Sequence, residues 1–86
     1  MGNKVPVLLR LFGPQAQLAG CREVKVSVVP GSTSARQVLD EMSLRYPVLT
    51  ESLATSRLAI NHQLASDDAV IDGSEELAII GMVGGG

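Results

Sequence analysis

Leu77-Ala78-Ile79-Ile80-Gly81-Met82-Val83-Gly84-Gly85-Gly86 are the last ten residues, and how they are read decides how the rest is assembled. The first four form a continuous apolar run of strand length, the pattern of a strand buried on both faces. Four of the remaining six are glycine, which contributes no side chain to a core. The strand would fix the base of an arm whose end is free. Six extended residues reach at most about 20 Å. Without Cβ atoms such an arm can thread a narrow channel, and its last carbonyl is left open to attack. Ordering glycine is entropically expensive, so docking would need support from Met82, Val83 and a face of the sheet.

Upstream, Val5, Val7, Leu9 and Leu11 alternate with Pro6, Leu8, Arg10 and Phe12, a strand period. Leu8 and Phe12 make its second face partly apolar, which predicts a central strand covered by a helix on one side. Gly13-Pro14 breaks this run, and the segment through Gly20 reads as loop. Val24, Val26 and Val28 alternate with Lys25 and Ser27 in a second strand. After the Pro30-Gly31 turn, Ser34 and Gln37 match the Ser-x-x-Gln capping box, with Thr33 as a competing cap. Ala35, Val38, Leu39, Met42 and Tyr46 then make one helical stripe, ended by Pro47. Residues 48–56 are ambiguous, with Leu49 and Leu53 able to share one helical turn. Asn61-His62 predicts a tight hairpin between Leu58-Ala59-Ile60 and Gln63-Leu64-Ala65, and Asp72-Gly73 a second turn. The order strand, strand, helix, one or two short strands, last strand predicts an α+β roll: a mixed sheet with one main helix packed on it.

At 86 residues and 9.0 kDa the chain holds one domain, read as a folded unit over 1–80 and a flexible glycine-rich tail over 81–86. Phe12 and Tyr46 are the only aromatic residues, so the core is aliphatic. With a net charge of −2 and no basic cluster, composition argues against nucleic-acid binding. Residues 1–43 hold five basic and three acidic groups, residues 44–86 two and six. The acidic half suits either a basic partner or a solvated face. One cysteine, Cys21, and one histidine, His62, exclude an internal disulfide and a structural zinc site within one chain. Apolar runs are too short for a membrane span, Pro6 spoils a myristoylation signal, and the expected location is cytoplasmic. No catalytic triad or Cys–His pair is arranged for nucleophilic chemistry. Asp67-Asp68 and Glu75-Glu76 lack the spacing of a calcium loop, and the terminal glycines precede no helix that could cradle a phosphate. His62 beside its turn and Cys21 at a loop end carry no clear chemistry.

Taken in order, several segments resemble the ubiquitin-like sulfur carriers of the ThiS and MoaD type, and within them the small subunit of molybdopterin synthase. They are Leu9-Arg10-Leu11-Phe12-Gly13, Leu18-Ala19-Gly20, Gly31-Ser32-Thr33 with Val38-Leu39, and Arg45-Tyr46-Pro47. Leu58-Ala59-Ile60-Asn61-His62, Asp72-Gly73-Ser74-Glu75-Glu76-Leu77 and terminal Gly85-Gly86 complete the series. The resemblance implies a β-grasp (ubiquitin-like) fold. It also implies that the Gly86 carboxylate is adenylated by an E1-like enzyme using ATP, then converted to a thiocarboxylate with sulfur from a persulfide donor protein. In the molybdopterin branch the arm enters the large synthase subunit and gives its sulfur to a pterin precursor. Phe12, Met82, Val83, Gly84 and Gly85 would contact the partner. The carrier would bind no cofactor or metal itself and would act as a protein cosubstrate, with neither nucleic acid nor membrane among its partners. The run Gly81-Met82-Val83-Gly84 departs from the Pro-Pro-Val usual in the molybdopterin branch and is also similar to the thiamine-pathway carrier. A carrier for thiazole formation or another biosynthetic pathway, and a ubiquitin-like protein modifier, stand as alternatives.

Overall fold

A computed structural model of the chain describes residues 3–82. Strand β1 (Val5–Arg10) leads into helix α1 (Gly13–Ala19) and strand β2 (Glu23–Val28). Helix α2 (Ala35–Arg45), a 3-10 turn (Pro47–Leu49) and helix α3 (Thr50–Ala54) follow. Strands β3 (Ser56–Ile60), β4 (Gln63–Leu64) and β5 (Leu77–Gly81) complete the chain as described. The sheet order is β2-β1-β5-β3-β4. β5 lies in the middle, parallel to β1 and antiparallel to β3.

The alternation read from the sequence becomes the two faces of this sheet. Val7, Leu9, Val24, Val26, Val28, Leu58, Leu77 and Ile79 are buried on the inner face. They meet Ala35, Val38, Leu39 and Met42 of α2, while Tyr46 is half-buried at the end of the helical stripe. Truncating a fully buried leucine such as Leu9 to alanine costs roughly 2–5 kcal/mol, a large share of a small domain's stability.

Local chemistry fixes the helix and turn boundaries. Ser34 Oγ accepts from Gln37 N–H (3.2 Å), and Gln37 Oε1 accepts from Ser34 N–H (2.8 Å), which completes the capping box. Thr33 instead accepts from Val29 N–H at 2.8 Å and holds the preceding turn. Asn61 and His62 both adopt positive φ (51° and 69°), the conformation of the two-residue turn between β3 and β4.

Two expectations are corrected. The segment from Gly13 to Gly20 is a helix rather than a loop, because Pro14 sits in its first turn and Gly20 (φ 76°) ends it in the left-handed conformation. The run Leu77–Ile80 is buried on one face only. Leu77 and Ile79 are enclosed, whereas Ala78 and Ile80 are half-buried on the outer face, where the described residues supply no covering layer. The ambiguous stretch resolves into the 3-10 turn and α3, and its Leu49 and Leu53 both reach the core. Gly81 is the last residue of β5, paired with Ser56, and the arm residues Val83, Gly84, Gly85 and Gly86 lie outside the described residues.

In the turn before β5, Ser74 N–H and Oγ donate to Asp72 Oδ1 at 2.8 and 2.7 Å. These bonds hold the Asp72 carboxyl below the usual carboxylate range, so its small stabilising effect is present near neutrality and is lost as the pH falls through that lowered pKa. Gly73 takes φ 104°, and an added Cβ would stand 3.1 Å from Val5 Cγ2 and 3.2 Å from Pro30 Cγ. Gly73→Ala is therefore expected to cost about 1–3 kcal/mol, read as a lower urea midpoint at constant slope. An unchanged midpoint contradicts this reading of the turn.

Candidate functional site: the root of the glycine arm

The arm leaves the domain from its central strand. Ser56 pairs with Gly81, and Met82 N–H donates to the Thr55 carbonyl at 2.9 Å, so the root is held to β3 through residue 82. Because β1 runs parallel to β5, the C-terminal ends of both strands lie at the same end of the sheet. That parallel arrangement places Phe12 and the start of α1 beside the root. Phe12, Gly13, Pro14, Gln15, Ile80 and Met82 are among the residues lining a groove there of about 540 Å³.

Beneath the groove lies a polar support. Gln15, with 7% of its surface exposed, donates through Nε2 to Ser56 Oγ (2.8 Å) and Ser52 Oγ (3.2 Å). The two hydroxyls donate in turn to the Ser52 and Leu49 carbonyls at 2.7 and 3.1 Å. The network ties α1 and α3 to the residue of β3 opposite Gly81. Among the described residues no buried side-chain nitrogen or oxygen lacks a partner, so the network rigidifies the site without the cost of an orphaned polar group. The loop reading of Gly13–Gly20 hides Gln15; proline one residue inside the segment and glycine just after it are the signals in the sequence that reveal the helix.

Phe12 belongs to the surface, 53% exposed, and Met82 is 41% exposed. With Ile80, Ala78 and Leu64 they form an apolar band across the outer sheet face that lines the groove and a neighbouring hollow reaching His62 and Glu76, and exposed Leu8 lies on the same face. The register puts Arg10, Lys25 and Arg57 on this same face. Arg10 lies 3.8 Å from Glu23, an exposed cross-strand pair of small energetic weight.

The acidic residues of the second half are largely used locally. Asp67 pairs with Arg36 (3.5 Å), Glu76 with His62 (3.1 Å), and Glu75 accepts from the Asp72 and Gly73 amides. Of the two readings of the acidic half, these local pairings favour a solvated surface; on the outer face Glu76 borders the hollow and Glu23 stands opposite Arg10. Cys21 is half-buried, with its sulfur 3.8 Å from the Tyr46 hydroxyl, and that hydrogen bond, then burial, raises the Tyr46 pKa. Among the described residues no three metal-ligating side chains converge, and no helix is long and apolar enough to cross a membrane.

A small mixed sheet gripping one main helix defines a ubiquitin-like, β-grasp class of protein. The ThiS family model matches residues 9–86, and the chain belongs to that family. It is 32% identical over 84 residues to the molybdopterin synthase sulfur carrier subunit of Arabidopsis thaliana, covering 98% of this chain and 86% of the relative. The fold is similar to small archaeal modifier protein 1 of Haloferax volcanii: TM-score 0.78, 23% identity, covering 92% of this chain and 99% of the other. It is also similar to a chain in the complex of subunits 1 and 2 of molybdopterin-converting factor from Helicobacter pylori, with TM-score 0.62, 17% identity, and coverage of 95% and 100%.

The exposure of Phe12 makes a direct contrast with its neighbour Leu11, which is 2% exposed. Phe12→Ser is expected to change unfolding free energy by no more than about 0.5 kcal/mol, whereas Leu11→Ala loses about 2–5 kcal/mol. Equal losses in chemical denaturation would place Phe12 in the core rather than on the surface.

Proposed function

We propose that this protein is the sulfur carrier subunit of a molybdopterin synthase, with the Gly86 carboxylate as its reacting group. The observation that carries the reading is the exit of the arm. The central strand holds the root at Gly81 and Met82 beside an exposed apolar band, and the ThiS family match runs through the terminal glycines. The relationship to the Arabidopsis thaliana carrier subunit supports the molybdopterin branch, and the Helicobacter pylori complex supports pairing with a large subunit.

The chemistry follows from what a carboxylate lacks. Its oxygen is a poor leaving group until an E1-like partner joins it to AMP from ATP, releasing pyrophosphate. The outer sulfur of a donor persulfide then displaces AMP to give an acyl disulfide, and a second thiol of the sulfur-donating machinery attacks the donor sulfur, forming a disulfide and releasing the thiocarboxylate. Its sulfur is anionic near neutral pH and nucleophilic. The carrier contributes reach and placement: Met82 and Phe12 seat the root, and Val83, Gly84 and Gly85 pass through the partner's channel. ATP belongs to the activating enzyme, and the work is done in the cytoplasm. The acceptor in the large subunit is a pterin precursor.

Intact mass after incubation with an E1-like enzyme, ATP and a sulfur donor is expected to show one oxygen replaced by sulfur at Gly86. Deleting Gly86, or adding a residue after it, should abolish that change while leaving the urea midpoint where it was. Sulfur incorporation in the deleted form, or an unchanged mass of the full chain with several such enzymes, would falsify the proposal.

A further inference from the structure

Among the described residues, the bond from Met82 N–H to the Thr55 carbonyl (2.9 Å) is the one nearest the free end of the arm, and Gly81 just before it pairs with Ser56. Where the arm begins therefore depends on how firmly Thr55 and Ser56 are held. They form the junction between α3 and β3, where Thr55 is exposed and Ser56 only half-buried. Apolar packing does little for such residues, so hydrogen bonds must hold them.

The Ser52 carbonyl collects three donors from this junction: Ser56 Oγ (2.7 Å), Thr55 N–H (3.2 Å) and Thr55 Oγ1 (3.3 Å). All are local, and alone they would let the junction move as a unit. Gln15 supplies the long-range tie. From α1 its Nε2 donates to Ser56 Oγ (2.8 Å) and Ser52 Oγ (3.2 Å), 41 and 37 residues away along the chain. Each hydroxyl already donates its one proton to a backbone carbonyl, so it can only accept from the amide, which fixes the orientation of the glutamine. Burying this side chain beside Phe12, Pro14 and Met82 costs its hydration, and the hydrogen bonds do little more than offset that cost. What the network contributes is geometry.

We infer that Gln15 is a positioning residue for sulfur loading: through Ser56, Ser52 and Thr55 it fixes the point at which the arm leaves the sheet, and so how the Gly86 carboxylate is presented. This rests on the proposed function. Without the tie, Gly81 and Met82 can part from β3 and must be ordered again whenever the arm enters a partner, which slows the step about tenfold. Gln15 is too buried to add much contact to a partner, so the loss falls on the rate at saturation and not on the half-saturating concentration.

Gln15→Met keeps the length of the side chain, removes the amide and strands no donor, because Ser52 and Ser56 keep their own acceptors. Thiocarboxylate formation in a single turnover, followed by intact mass with the E1-like enzyme of the same organism, ATP and its persulfide donor, provides the test under conditions where every chain is folded. The saturated rate should fall about tenfold at an unchanged half-saturating concentration of the enzyme. In the free carrier the Met82 amide should exchange about tenfold faster. Ser56→Ala removes the acceptor at the other end and should act in the same direction, and the double variant should lose less than the two single losses combined. A saturated rate equal to that of the parent in both variants, whatever their urea midpoints, makes the network a structural support only and overturns the inference. A raised half-saturating concentration with an unchanged rate makes Gln15 a docking contact and overturns it as well. Both results leave the carrier function standing, whereas no thiocarboxylate on the unmodified chain overturns the proposed function and this inference with it. If Gln15→Met does not fold, Ser56→Ala decides.

Discussion

The parallel pairing of β1 with β5 is the constraint on which the rest of the structure depends. Parallel neighbours cannot be joined by a hairpin, so the first and last strands meet only after helix and edge strands have been laid between them in sequence. β5 thereby gains a neighbour on each side, β1 and β3, and its inward residues Leu77 and Ile79 are almost completely buried. The same direction of travel brings Phe12 and α1 to the end where β5 leaves the sheet. A firm root, an apolar surface beside it and a groove between them are consequences of one strand pairing.

Around that pairing the domain spends its polar groups on holding geometry. Gln15 with Ser52 and Ser56 braces the residue opposite Gly81, Asn61 ties its turn to Glu76 through both backbone and side chain, and Glu75 closes the turn at Gly73. These contacts involve side chains that hold turns and the root of β5 in place. The outer sheet face is apolar with Arg10, Lys25 and Arg57 around it, although the chain as a whole is acidic.

Much of this was legible in the residues. Period-two valines and leucines gave β1 and β2, the Ser34–Gln37 box and Pro47 bounded α2, and Asn61-His62 marked the hairpin, because each signal is local and has a direct conformational cause. The diglycine terminus and the order of the segments pointed to the family. What was hidden depended on tertiary context. Whether Ala78 and Ile80 were covered could not be read from an apolar run, since buried and half-exposed alanine and isoleucine look alike in sequence. Helix α1 was hidden by Gly13-Pro14, which breaks one element and begins another. Gln15 gains its role only when β3 comes within reach, 41 residues further along the chain.

The central claim is that this domain exists to hold and present the Gly86 carboxylate for sulfur transfer. Tandem mass spectrometry of the protein recovered from its own cells under non-reducing conditions tests that claim most directly. The account predicts a C-terminal peptide in which one oxygen of Gly86 is replaced by sulfur, in a fraction that falls when the activating enzyme is removed. A terminal glycine found only as free carboxylate, or joined to lysines of other proteins with no sulfur-bearing form, would contradict it.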